Sequence, residues 1–293
     1  MRFKQNIIAI VYDFDGTLSP QPMYDYGVLP ALKIEPDEFW KEVSKKAKKD
    51  NADPMLCYMY LLLKKGENTE GKLTFKVKDL KKLSKKIRYY RGVPQHFEKL
   101  EKYVEEKSKG QVKLRFYLIS AGLKEILDGI SIKRKFHNIF ASEYYRNNYG
   151  EPLFPKILVN DTIKTQYLFR INKGKELQHE RINEHMPEDQ RLIPFKNIIY
   201  IGDGMTDVPG MTVTIKNGGR SIAVYEPGKR KARETCLELF EAGRVHHIAS
   251  ADFTRNSKLM QILRTTLDLI IHDILFWKSV HKQKRLLVQK KKK

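Results

Sequence analysis

The stretch Ile7-Ile8-Ala9-Ile10-Val11-Tyr12-Asp13-Phe14-Asp15-Gly16-Thr17 decides how the rest of the chain is read. A short continuous apolar run predicts a strand buried on both faces. Here the run stops at two carboxylates and a glycine. Three later runs behave similarly. Residues 112–119 lead into Ser120-Ala121-Gly122, residues 198–201 into Gly202-Asp203-Gly204, and residues 221–225 into Glu226-Pro227-Gly228. Such runs, separated by helical patterns, predict parallel strands of an α/β sheet. Ligands of such sheets bind beyond the carboxyl ends of the strands, so the polar residues after each run should meet in one crevice.

About ninety residues of different character separate the first two runs. Pro36-Asp37-Glu38 predicts a helix start, with Phe39, Trp40, Val43 and Ala47 on one side. Asp53-Pro54 predicts a second helix, apolar over 55–63, with Gly66 as its stop. Val77, Leu80, Leu83 and Ile87 form a third stripe. We therefore expect a helical insertion over 18–91, with Arg91-Gly92-Val93-Pro94 as the return and a helix over 95–109. Residues 142–170 carry no clear period. Residues 172–190 are polar and expected to start as a helix. An amphipathic helix is expected over 259–277, and a basic tail over 278–293.

The chain has 293 residues, enough for about two domains or one domain with a large insertion. Its two cysteines, Cys57 and Cys236, cannot form a disulfide framework or a four-cysteine zinc site. The first apolar run is too short for a signal peptide, and the C-terminal stripe is interrupted by charges. A cytoplasmic protein with no membrane span is expected. The net charge is +21, of which the last sixteen residues supply +8 and residues 18–91 supply +7. A positive insertion over an anion-binding crevice would steer anionic substrates. The tail is expected to be solvated, with nonspecific contact to RNA or acidic membrane as the alternatives. His246-His247 would point to opposite faces of a strand, which disfavours a shared metal.

Asp13-x-Asp15 alone is a modest signal, shared with metal–nucleotide anchors and with plain turns. In company with Ser120, Lys173-Gly174 and Gly202-Asp203-Gly204-Met205-Thr206-Asp207, the set resembles the haloacid-dehalogenase-like (HAD-like) superfamily, in its phosphatase branch. The resemblance covers residues 5–17 and 92–250. It implies a doubly wound parallel sheet (1–17 and 92–277) carrying a helical cap (18–91), placed as in phosphoserine-phosphatase-like members.

The resemblance also implies the chemistry. Asp13 would be the nucleophile that forms an aspartyl-phosphate, and Asp15 the general acid and base. Mg²⁺ would be held by Asp13, the carbonyl of Asp15 and Asp203, with Asp207 holding a metal-bound water or orienting the motif lysine. Phosphate contacts would come from Ser120 and the loop positions Phe14, Gly16, Ala121 and Gly122. Lys173 is preferred as the motif lysine, with Lys175 as its competitor. Thr206 stands where many capped relatives have asparagine. Gln21, Tyr24 and Tyr26 are expected at the entrance. The implied activity is hydrolysis of a small phosphate monoester. The alternatives are a phosphotransferase or mutase on the same core, and a basic nucleic-acid-binding protein on a retired one.

Overall fold

A computed structural model describes residues 3–67, 73 and 75–290. Its centre is a seven-stranded sheet in the order β4-β3-β2-β1-β5-β6-β7. The strands are β1 (Ile7–Tyr12), β2 (Lys113–Leu123), β3 (Asn138–Arg146), β4 (Pro152–Ile157), β5 (Ile198–Gly202), β6 (Arg220–Tyr225) and β7 (His247–Ser250). All neighbours pair in parallel except β3 and β4, which are antiparallel. Every residue of β1 is buried, because β1 lies mid-sheet with both faces covered.

Among the described residues the α-helices are α1 (Val28–Ala31), α2 (Pro36–Asp50), α3 (Pro54–Glu67), α4 (Val77–Leu83), α5 (Val93–Ser108), α6 (Lys124–Leu127), α7 (Ile163–Lys173), α8 (Val208–Lys216), α9 (Arg230–Glu241) and α10 (Lys258–Lys290). They cover both sides of the sheet. Ile8, Ile10 and Tyr12 point into a cluster with Phe97 and Leu100 of α5 and Leu263 and Leu267 of α10. Ile7, Ala9 and Val11 point the other way, towards Leu168 of α7, Met211 of α8 and Leu239 of α9. The strand period of two thus divides one strand between two cores. This is the doubly wound α/β architecture.

Helices α1 to α4 form the insertion between β1 and α5. α2 starts on Pro36 with Asp37 and Glu38 in its first turn, and ends with Lys48 and Lys49 before Asn51 in the left-handed region. Each choice suits the helix dipole or its caps. Phe39, Val43, Met59 and Leu62 of the insertion join the same cluster as Ile8 and Ile10. The insertion is therefore packed down on the sheet.

Three expectations need correction, and one unassigned stretch gains its elements. Gly66 lies inside α3 rather than after it, pressed so close to the Phe75 ring that a side chain would not fit. Lys173-Gly174 closes a helix instead of opening one, and 174–187 has no regular helix. A basic last turn followed by a left-handed glycine is a C-terminal signature. The uncharted 142–170 holds most of β3, all of β4 and the start of α7. Finally, 278–290 is no separate tail, since α10 runs without a break from Lys258 to Lys290. Among the described residues, no helix is long and apolar enough to cross a membrane.

Candidate active site

The sheet register places the acidic residues. Tyr12 lies opposite Leu118 of β2 and Ile201 of β5. Asp13 follows at the end of β1, where its N–H donates to Ile201 O at 2.9 Å. Ser120 lies two residues beyond Leu118, and Asp203 two beyond Ile201. All three occupy the carboxyl end of the sheet, where the strand order reverses around β1. Carboxylate oxygens of Asp13, Asp203 and Asp207 lie within 4.8 Å of one another.

The loop after β1 is wound tightly. Phe14 O accepts the N–H groups of Thr17, Leu18 and Ser19, and Gly16 N–H donates to Ser19 O at 2.7 Å. Gly16 takes φ +78°, and a side chain there would overlap the Asp203 carboxylate. Gly202 likewise lies against the carboxylate of Asp207. These glycines allow backbone and carboxylates to approach closely. Asp15 is fixed by the Met23 N–H, which donates to its Oδ1 at 2.8 Å. Ser120 Oγ accepts the Gly122 N–H at 3.0 Å, and Ser120 is 1% exposed. Ser120, Ala121 and Gly122 form an irregular end of β2, where the pairing with β3 shifts register.

The lysine of this site is Lys164. Its ammonium donates to Asp13 Oδ1 at 2.8 Å and to Asp207 Oδ1 at 2.7 Å, and the residue is 1% exposed. Lys173 is nine residues on, about 13 Å further along the same helix. It donates instead to the carbonyls of Ile182 and Glu184. Lys175 pairs with Glu184. Neither reaches the acidic cluster, so the assignment of Lys173 is replaced by Lys164. A signal was present in the sequence. Lys164 is in phase with Tyr167, Leu168 and Ile171, all buried, and a lysine on an apolar stripe needs a buried anionic partner.

Tyr200 was also missed. Its hydroxyl donates to Asp207 Oδ1 at 2.7 Å, while the Asp203 N–H donates to Asp207 Oδ2 at 3.1 Å. Asp207 is thus committed through both oxygens, and it is fully buried. Cys236 Sγ lies 3.7 Å from the Asp203 carbonyl, and burial pushes its thiol up to about 12. Thr206 is exposed and outside this network.

Electrostatics follow from burial. Desolvation raises Asp13 to about 7, against the pull of Lys164 and with the push of Asp207. Burial also holds Asp15 well above the usual carboxylate range, with Asp13 adding to it. Asp203 is raised in the same way, by burial first and then by Asp207 and Asp13. Lys164 stays charged because its two carboxylates outweigh its desolvation. One lysine faces four acids, so further positive charge would stabilise the site.

The insertion contributes Tyr58, whose hydroxyl donates to Ala121 O at 2.7 Å. Tyr24, expected at the entrance, is buried against Tyr58 and Trp40. Tyr26 accepts the Ser19 hydroxyl and the Gln21 N–H, which braces the loop.

Comparison with solved structures finds the same fold. A probable phosphoserine phosphatase from Vibrio cholerae superposes with a TM-score of 0.56 at 13% identity, over 93% of this chain and 68% of that one. A HAD family hydrolase from Salmonella enterica serovar Typhi gives 0.55 at 16%, over 89% and 71%. A phosphoserine phosphatase holding an analogue of its phospho-aspartyl intermediate gives 0.53 at 17%, over 89% and 99%. The chain has the fold of these haloacid-dehalogenase-like (HAD-like) structures. By sequence the chain belongs to one family with an uncharacterized protein of Borreliella burgdorferi, 30% identical over 88% of this chain and 96% of that one. No protein-family model matches the chain. At such low identities the solved HAD-like structures establish the fold; the chemistry rests on the side chains described above.

Proposed function

We propose that the protein hydrolyses a small phosphate monoester through an aspartyl-phosphate on Asp13. The observation that carries this reading is the buried bridge from Lys164 to both Asp13 and Asp207. It fixes one carboxylate at the end of β1 beside a cation that can also face a phosphoryl oxygen.

An Asp13 carboxylate oxygen forms a bond to phosphorus as the ester P–O bond breaks. Asp15, oriented by the Met23 N–H, gives its proton to the departing alkoxide. Water then attacks phosphorus, passes a proton to Asp15 and breaks the bond to Asp13, so phosphate leaves. Lys164 and the donors around Ser120 offset charge on the phosphoryl oxygens. Asp207 and Tyr200 act by holding Lys164 and the Asp203 backbone in place.

The donor set fits a hard divalent cation, because it offers only oxygens and leaves three clustered carboxylates facing one lysine. Asp13, Asp203 and the carbonyl of Asp15 would hold Mg²⁺. When bound, it supplies the positive charge that lets an anionic carboxylate and an anionic ester approach. The packed insertion would serve as a cap that excludes bulk water and large substrates. Two free, buried thiols suit a cytoplasmic setting.

The test is release of free phosphate from p-nitrophenyl phosphate, with Mg²⁺ and with EDTA, by the protein and by Asp13→Asn. Metal-dependent release that is lost in the variant is expected. Release that survives Asp13→Asn would overturn the nucleophile. Transfer to an added alcohol without free phosphate would overturn hydrolysis.

A further inference from the structure

We propose that the C-terminal end of α10 is a docking element for an anionic lipid bilayer. α10 packs on the core over its first half, where Leu259, Leu263, Leu267, Ile270 and Ile274 are buried. Its further side-chain ties to the core run from Asp273 to His281. Lys196 pairs with Asp273 and lies over the Trp277 ring, and Lys278 donates to Gln111 Oε1. Phe3 then meets the ring of His281. Beyond that point, every residue from 282 to 288 is exposed.

This projecting end is not the polar helix that a solvated position would favour. Phe276, Leu286, Leu287 and Val288 are 60%, 51%, 61% and 57% exposed. At about 100° per residue, Phe276, Val280 and Leu287 fall within about 40° of one another, and Trp277 and Val288 widen the arc to about 120°. Lys282 and Arg285 fall on the other half of the circumference, where Leu286 is the exposed aliphatic residue among them. Lys284 lies within the apolar arc, where its long stem can lie along apolar surface with the ammonium in water. No acidic residue follows Asp273, and residues 290–293 are all lysine. An exposed helical end that combines an aromatic and aliphatic arc with cations and no acid matches the boundary between lipid tails and anionic headgroups. RNA would use the cations and leave the leucines in water, so the exposed apolar arc favours the bilayer. A short, exposed helical end is also marginal by itself, and burial of that arc would stabilise it.

The proposal is independent of the active-site chemistry. The experiment is co-sedimentation of the full chain with vesicles of phosphatidylcholine alone and of equimolar phosphatidylcholine and phosphatidylglycerol. Two variants accompany it: Leu286→Ser with Leu287→Ser and Val288→Ser, and Lys282→Gln with Lys284→Gln and Arg285→Gln. Thermal unfolding checks that both fold. Partition onto the anionic vesicles is expected to exceed that onto neutral ones by tenfold or more, since each cation near the surface contributes a factor of about five. Both variants should lose most of it. Equal partition onto the two vesicles, or an apolar variant that binds like the parent, would overturn the proposal. So would tight single-stranded RNA binding without vesicle binding, or a dimer in light scattering that the serine variant dissociates.

Discussion

Asp53 and Asn160 start two helices from one hydrogen bond. Asn160 Nδ2 donates to Asp53 Oδ2 at 2.9 Å. The other oxygen of Asp53 accepts the Met55 N–H at the start of α3, and Asn160 Oδ1 accepts the Ile163 N–H at the start of α7. The insertion is therefore tied to the helix turn that carries Lys164. Asp53→Ala should cost about 1 kcal/mol of stability through the lost cap. It should also lower turnover of p-nitrophenyl phosphate, because both the insertion and Lys164 lose a support. Asp53→Asn keeps an oxygen for the cap and should recover most of the stability. Urea unfolding beside steady-state kinetics would show whether the two effects separate.

Lys164 and Lys173 offer a direct contrast within one helix. Lys164→Met should lower kcat/KM by on the order of a thousandfold, as expected for loss of charge stabilisation in a buried site. Lys173→Met removes only contacts to the carbonyls of Ile182 and Glu184 and should stay within about twofold. A large loss in Lys173→Met with a small one in Lys164→Met would reverse the assignment.

Gly16 tests how closely the nucleophile loop must approach Asp203. Gly16→Ala meets a positive φ and a carboxylate in the same place. The backbone strain is about 1 kcal/mol, and displacement of Asp203 should cost about a hundredfold in rate. Activity near that of the parent would show that the loop has room that its geometry denies.

His96 gives the fold a pH dependence of its own. Its Nδ1 faces the Val93 carbonyl at 2.7 Å, so that nitrogen carries the hydrogen, and Nε2 accepts from the Tyr12 hydroxyl at 2.9 Å. Burial lowers its pKa to about 3. The unfolded chain takes up a proton near the ordinary value while the folded chain does not. This contribution is complete above about pH 6.5 and is lost as the pH falls towards 3, at about 1.4 kcal/mol per unit. His96→Phe should flatten that slope in urea unfolding across the mildly acid range. An unchanged slope would mean that other groups set it.

Glu125 and Arg146 form a buried pair at 2.7 Å, with side chains 5% and 15% exposed. Arg146 also donates to the carbonyls of Phe75 and Gly150. Arg146→Met would strand the Glu125 carboxylate, at a cost of about 3–5 kcal/mol. A fall in the unfolding temperature of only a degree or two would show that the pair is better solvated than its burial implies.

The strands that carry Asp13, Ser120 and Asp203 were legible because a strand buried on both faces is a continuous apolar run. The carboxylates follow such runs directly, so local order places them at one end of the sheet. β4 was hidden because its exposed pattern and two prolines suit an edge strand and resemble a loop. β7 is only four residues long.

The motif lysine was a different kind of question. Several lysines flank helix ends in this chain, and local pattern favoured the one before a glycine. What distinguishes Lys164 is a partner 151 residues away in sequence, Asp13, and a second, Asp207, in the turn between β5 and α8. Sequence alone determined the strands β1, β2, β5 and β6, the run of helices after β1 and the acids that follow the strands, since period and turn chemistry act over a few residues. Only the tertiary structure decided which cation meets those acids, because a buried ion pair is specified by packing between distant elements and by the cost of leaving either charge alone.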